Sequence, residues 1–133
     1  MSHTGRCYCG AVHYAVDGVF GYALNCHCSQ CRRVTGAAFK PFAGVAREGL
    51  TVTRGGDALL VMGTARNNHT SCARCGSLLF SVVRDGAYVH VTLGTLDGEP
   101  GIRASAHIFV GSKALWFGIT DDLPQHEGFP PEG

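Results

Sequence analysis

Apolar and polar residues alternate along this chain in short runs, and a helical period is almost absent. Val12, Tyr14 and Val16 alternate with Ala11, His13 and Ala15, which predicts a strand. Asp17-Gly18 reads as a hairpin turn leading into Phe20 to Leu24. Ala37 to Val45 is apolar and aromatic, and Pro41 marks it as an edge strand or a bulge. Leu50 to Thr53, Ala58 to Met62, Ser77 to Val83 and Tyr88 to Leu93 are further short strands, separated by glycine-bearing turns. His107 to Val110 and Ala114 to Ile119 are expected to form two last strands around Gly111-Ser112. Only Ser29 to Val34 invites a helical turn, and the proline- and glycine-rich stretch from Asp121 is expected to be irregular coil.

Strands at this spacing, with so little helix, predict an all-β fold of two packed sheets. A chain of 133 residues, 45% of them hydrophobic, suits one domain spanning positions 1–133 with a true core. The 19 glycines follow no period, which points to many turns rather than a fibre. Charged residues make up 16% and the formal net charge is +1, so the basic footprint of a nucleic-acid binder is missing. No apolar run approaches the ~20 residues that span a bilayer, and no basic start precedes an apolar stretch near Met1. The expectation is a cytoplasmic protein with neither a membrane nor a nucleic-acid partner. Nothing in the pattern specifies an oligomeric state.

Seven cysteines change this picture. In the cytoplasm thiols stay reduced, so clustered cysteines hold metal or do chemistry more often than they pair. They fall into three groups: Cys7 and Cys9; Cys26, Cys28 and Cys31; Cys72 and Cys75. Cys72-Ala73-Arg74-Cys75-Gly76 has the form of a zinc knuckle. Cys7 and Cys9, separated by one residue, meet the same ion if alternate residues of a strand point one way. Those four predict a closed tetrathiolate zinc site. Cys26-His27-Cys28-Ser29-Gln30-Cys31 then forms a cup of three thiolates. Three protein ligands and an open position are the general form of a catalytic zinc site. Three thiolates leave Zn²⁺ formally negative, hence a weak Lewis acid suited to taking a soft thiolate as its fourth ligand. The small-molecule partner is by this reasoning a thiol, an aldehyde, or their adduct.

Several neighbours are read in more than one way. His27 is a fourth ligand, a contact beside the ligands, or an ordinary packed histidine. Arg32 and Arg33 offset thiolate charge, bind a substrate carboxylate, or are solvated. Phe39 and Phe42 are expected in the core, as is Trp116. His107 opens a late strand that either reaches the site or does not.

Gly5-x-Cys7-x-Cys9-Gly10, Cys26-His27-Cys28-x-x-Cys31-Arg32 and Cys72-x-x-Cys75-Gly76 resemble the glutathione-dependent formaldehyde-activating (GFA) family. His107-Ile108, Ser112-Lys113, Trp116 and Asp122-Leu123-Pro124-Gln125 resemble its C-terminal signature. The resemblance runs from about Gly5 to about Pro131 and extends to the zinc domain of centromere protein V. It implies an Mss4-like fold of small antiparallel sheets pinned by zinc. It also implies carbon–sulfur lyase chemistry, with formaldehyde and glutathione giving S-hydroxymethylglutathione. The matching positions make Cys7, Cys9, Cys72 and Cys75 the structural zinc site and Cys26, Cys28 and Cys31 the catalytic one, with glutathione as co-substrate. The alternative is a non-catalytic zinc module that binds a partner or senses thiols.

Overall fold

The computed structural model describes residues 2–130, so Met1 and residues 131–133, including the end of the family-like stretch, lie outside it. The strands in chain order are β1 (Ser2–Arg6), β2 (His13–Asp17), β3 (Tyr22–Cys26), β4 (Lys40–Ala46), β5 (Leu50–Arg54), β6 (Leu59–Gly63), β7 (Asn68–Cys72), β8 (Leu78–Val83), β9 (Tyr88–Thr92) and β10 (His107–Ile108). A single α-helix among the described residues, α1 (Ser29–Thr35), lies between β3 and β4. The fold is all-β, as the alternation predicts. One sheet has the order β1-β2-β5, the other β10-β3-β4-β9-β8-β7-β6. Neighbouring strands are antiparallel except the short β10–β3 pair.

The period of two decides what each face does. Ala23 of β3 pairs with Ala43 of β4, Ala43 with Val91 of β9, and Val91 with Phe80 of β8. This row faces inward and packs with Val12, Tyr14 and Val16 into the main core. Shifted by one residue, Leu24–Phe42, Cys26–Lys40 and Ser81–His90 form the outer face. There a second, smaller cluster gathers Leu24, Cys26, Cys31, Phe42, Ala106 and Ile108. The three-cysteine group therefore sits on the side of the large sheet that turns away from the small sheet.

Four expectations are corrected. Asp17-Gly18 does not close a hairpin, because β2 pairs with β1 and β5 while β3 belongs to the other sheet. Pro41 lies in a strand that is central in its sheet, between β3 and β9. It is tolerated because β9 pairing starts only at Phe42–Thr92, so the missing N–H points past the end of the neighbour. Ala114 to Ile119 is not a strand; the Lys113 ammonium holds this loop through the carbonyls of Ala114 and Phe117. Trp116 is exposed rather than core. Two strands, β1 and β7, are polar enough (Ser2-His3-Thr4, Asn68-His69-Thr70) to escape a reading by apolar alternation.

Candidate metal centres

Cys7 follows β1 and enters a tight turn, in which the Gly10 N–H donates to the Cys7 carbonyl at 3.2 Å. Gly10 takes a φ of 81°, a left-handed conformation that suits glycine. Cys7 and Cys9 therefore converge through a turn, not through strand alternation as the spacing suggested. Tyr8 between them is exposed, pointing away as expected. Across the gap, Cys72 ends β7 and Cys75 lies in the turn into β8, whose Gly76 N–H donates to the Cys72 carbonyl at 2.8 Å. The sulfurs of Cys7 and Cys9 are 3.7 Å apart, and those of Cys9 and Cys72 are 3.8 Å apart. Four sulfurs at ~2.3 Å from one tetrahedral ion would be separated by about 3.8 Å, so the donors present fit such an ion. Backbone N–H groups of Val12 and Arg74 point at Cys7 Sγ and Cys72 Sγ, at 3.3 and 3.4 Å. The Ser77 hydroxyl and N–H hold the Cys75 thiol down to about 5. These contacts favour thiolates, the form in which cysteine binds metal.

The second group is Cys26, Cys28 and Cys31, whose sulfurs lie within 4.8 Å of one another. Cys26 closes β3. Cys28 caps α1, accepting at Sγ from the Cys31 N–H at 3.2 Å. Cys31 is buried in the first turn of that helix. The bond from Cys31 holds the Cys26 thiol down to about 6, and the same interaction drives Cys31 up. Among the described residues no fourth cysteine, histidine or carboxylate joins this group. All seven cysteines are free thiols.

His27 points to the opposite side, as a residue between two same-facing cysteines must. Its Nε2 is hydrogen-bonded to His107 Nδ1 at 2.8 Å, and His107 Nε2 lies 3.0 Å from Asp121 Oδ2. His27 is fully buried between Phe39 and Phe117, and burial pushes its imidazole down to about 4. Its place is thus a support behind the three cysteines. His107 reaches the site through His27. The segment of Asp122 to Gln125 is tied in as well, since the His107 N–H donates to the Pro124 carbonyl at 2.9 Å. Arg32 donates from Nε to the Ser112 carbonyl at 3.1 Å, so it staples α1 to the C-terminal loop, and Arg33 is exposed. Phe42 is core, whereas Phe39 is half-buried and packs on the paired histidines.

Lys40 is the residue that sequence reasoning missed. It is 2% exposed, stands across from Cys26 in the β3–β4 ladder, and donates to Ser81 Oγ at 2.7 Å. Ser81 Oγ in turn lies 2.8 Å from His69 Nδ1. None of the ion pairs among the described residues involves Lys40. Burial pushes its ammonium down, and the charges that oppose this shift are Cys31, Cys26 and Cys28. Two residues before Phe42 in an apolar run, a lysine signals a buried counter-charge only once the strand register is known.

Comparison with known proteins follows the same lines. The sequence model described as "Glutathione-dependent formaldehyde-activating enzyme" matches residues 2–112. A protein of Halomonas elongata, provisionally named a glutathione-dependent formaldehyde-activating enzyme, is 28% identical over 156 aligned positions, covering 99% of this chain and 91% of that protein. A Rhodobacter sphaeroides protein of known crystal structure is 31% identical with a TM-score of 0.60, over 72% of this chain and 89% of that one.

Proposed function

The chain belongs to the glutathione-dependent formaldehyde-activating family, and from that premise we propose that it is a zinc-dependent, carbon–sulfur lyase-like enzyme acting on a thiol–aldehyde adduct such as S-hydroxymethylglutathione. The observation that carries this reading is a group of three thiols which, among the described residues, has no fourth protein donor and stands beside a buried ammonium with no carboxylate partner. A closed four-thiol group elsewhere takes the structural role.

In this reading Cys7, Cys9, Cys72 and Cys75 hold one ion, and Cys26, Cys28 and Cys31 hold the other. The second ion, when bound, supplies a position at which an incoming thiol stays deprotonated at neutral pH. The protein's own groups do the rest. Cys28 and Cys31 are fixed by the capping bond, so the cup is set before substrate arrives. Lys40 offsets the negative charge that three thiolates leave in a poorly hydrated place. Asp121, His107 and His27 brace the chain between Cys26 and Cys28 from behind. In the synthetic direction the substrate sulfur attacks the aldehyde carbon, a carbon–sulfur bond forms, and the carbonyl oxygen takes up a proton. In the reverse direction the hydroxyl loses that proton and sulfur leaves with the bonding pair. Seven cysteines that must stay reduced to take up their ions suit a reducing compartment, which supports a cytoplasmic site of action.

The test is release of formaldehyde from S-hydroxymethylglutathione, measured above the spontaneous rate, for the zinc-loaded protein and for Cys28→Ser. Turnover should fall to the spontaneous rate in the variant while the fold persists. A Cys28→Ser protein that keeps its turnover would overturn the assignment. Thiol binding with no turnover in either protein would favour the non-catalytic zinc module.

A further inference from the structure

A groove of about 1230 Å³ runs along the outer face of the large sheet. Leu24, Phe42 and Ile108 line it, and these same three residues cluster with Cys26 and Cys31. Tyr22, His90 and Arg84 line it as well, with the His90 ring stacked on Phe42 at 4.0 Å between ring centres. Tyr22 and Cys26 lie on the same face of β3, four residues apart, so a ligand that reaches from the three-cysteine group to the level of Tyr22 spans about 13 Å.

The lining is chemically one-sided. Among the described residues it contains no aspartate or glutamate, its one permanently charged residue is Arg84, and Tyr22, Ser105 and two histidines supply its other polar side chains. The Arg84 guanidinium stands 5.2 Å from the Tyr22 ring centre and 4.8 Å from that of Tyr88. Asp85, its chain neighbour, pairs with Arg66 instead. Among the described residues no carboxylate forms an ion pair with Arg84. The turn that presents it is strained, with φ of 53° at Arg84 and 55° at Asp85, a region that non-glycine residues rarely adopt. Burial pushes His90 down to about 3, so at neutral pH it adds no charge. A ligand here meets aromatic and aliphatic walls and then one guanidinium fork, a shape that suits an apolar body ending in a carboxylate.

We propose that this groove is the specificity subsite of the three-cysteine centre, and that it takes a thiol whose apolar or aromatic body ends in a carboxylate bound by Arg84. This rests on the reading of that centre as a thiol site. It goes beyond that reading because it names what lies away from the sulfur: an apolar or aromatic stretch against Leu24, Phe42 and Ile108, and a carboxylate at Arg84.

The experiment uses the cobalt-substituted protein, whose visible bands report sulfur binding that zinc would hide. It is titrated with ω-mercaptocarboxylates of increasing length, the ω-mercaptoalcohols of equal length, and glutathione, all below their aggregation limits. The carboxylate whose sulfur-to-carboxylate span approaches ~13 Å should bind about tenfold tighter than its alcohol, as expected for one charge-assisted pair. Arg84→Gln, a change at an exposed side chain, should erase the preference for carboxylate, and Arg84→Glu should reverse it. Thiols that shift the cobalt bands with no preference for a carboxylate, or a preference that survives Arg84→Gln, overturn the subsite and leave the thiol centre standing. Cobalt bands that no thiol moves overturn the thiol centre, and the subsite with it.

Discussion

At the scale of single residues, Lys40 and His90 show how burial turns ordinary side chains into electrostatic parts. Among the described residues no carboxylate forms an ion pair with Lys40, and the opposite charges that act on it are those of Cys31, Cys26 and Cys28, so removing its charge should cost metal at one centre and not at the other. Lys40→Met is expected to lower the cobalt affinity of the three-cysteine group by about tenfold or more, a charge pair's worth at low dielectric. Lys40→Arg, which keeps the charge, should recover part of it. Equal metal retention in Lys40→Met and the parent protein would refute a charge-offsetting role. His90 is held down to about 3, against 6.5 for a free imidazole. Between those values the unfolded chain binds a proton that the native ring refuses, so stability rises with pH across this window and is lost as pH falls through it. From neutral pH to about pH 5 the loss is about 2 kcal/mol. Urea midpoints of metal-saturated protein at the two pH values should show it, and the drop should shrink in His90→Gln. An unchanged drop would mean that His90 is not the group responsible.

At the scale of elements, two glycines let strands approach each other over a tyrosine. Gly5 pairs with Tyr14 and Gly44 with Tyr22, and a Cβ on either glycine would sit 2.3 Å from the facing ring. Tyr14 is 1% exposed and bonded through its hydroxyl to Thr95 Oγ1 at 2.7 Å, so it has nowhere to move. Gly5→Ala is therefore expected to destabilise by about 1–3 kcal/mol, read as a lower denaturation midpoint. Tyr22 is half-buried beside the groove and can swing outward. Gly44→Ala should thus cost less stability but weaken thiol binding in the groove. The reverse ranking would show that the outer face is packed as tightly as the core. Strand alternation reveals such glycines only as gaps in an apolar pattern; their partners come from register.

At the scale of the whole molecule, the four-cysteine group joins the turn after β1 to the β7–β8 turn, more than sixty positions along the chain. Long loop closure of this kind makes metal binding part of folding energy. Cys75→Ser is expected to yield insoluble or unfolded protein, and a variant with full metal content and an unchanged Tm would contradict that. Under graded chelation the three-cysteine group should release its ion first, with the fold retained, because three ligands and an exchangeable position admit a competitor. Loss of both ions at one chelator concentration would count against two kinds of centre.

The cysteine spacing and the alternation of apolar residues were sufficient for the all-β class, the single short helix, the family and the division of seven thiols into four and three. The class and the helix are local properties, carried by neighbours in the chain, while the division of the thiols follows from their number and from the four ligands that a closed zinc site takes. Tertiary structure alone decided the rest. Whether Asp17-Gly18 closes a hairpin depends on which sheet β3 joins, and Pro41 is harmless only because β9 ends one residue earlier. Cys7 and Cys9 converge through a turn whose shape their spacing does not reveal. Lys40, Arg84 and the His27–His107–Asp121 chain gain their roles from partners that strand register, not sequence proximity, brings within reach. Charge and burial act through space, so a residue's chemistry becomes readable once its neighbours across the sheet are known.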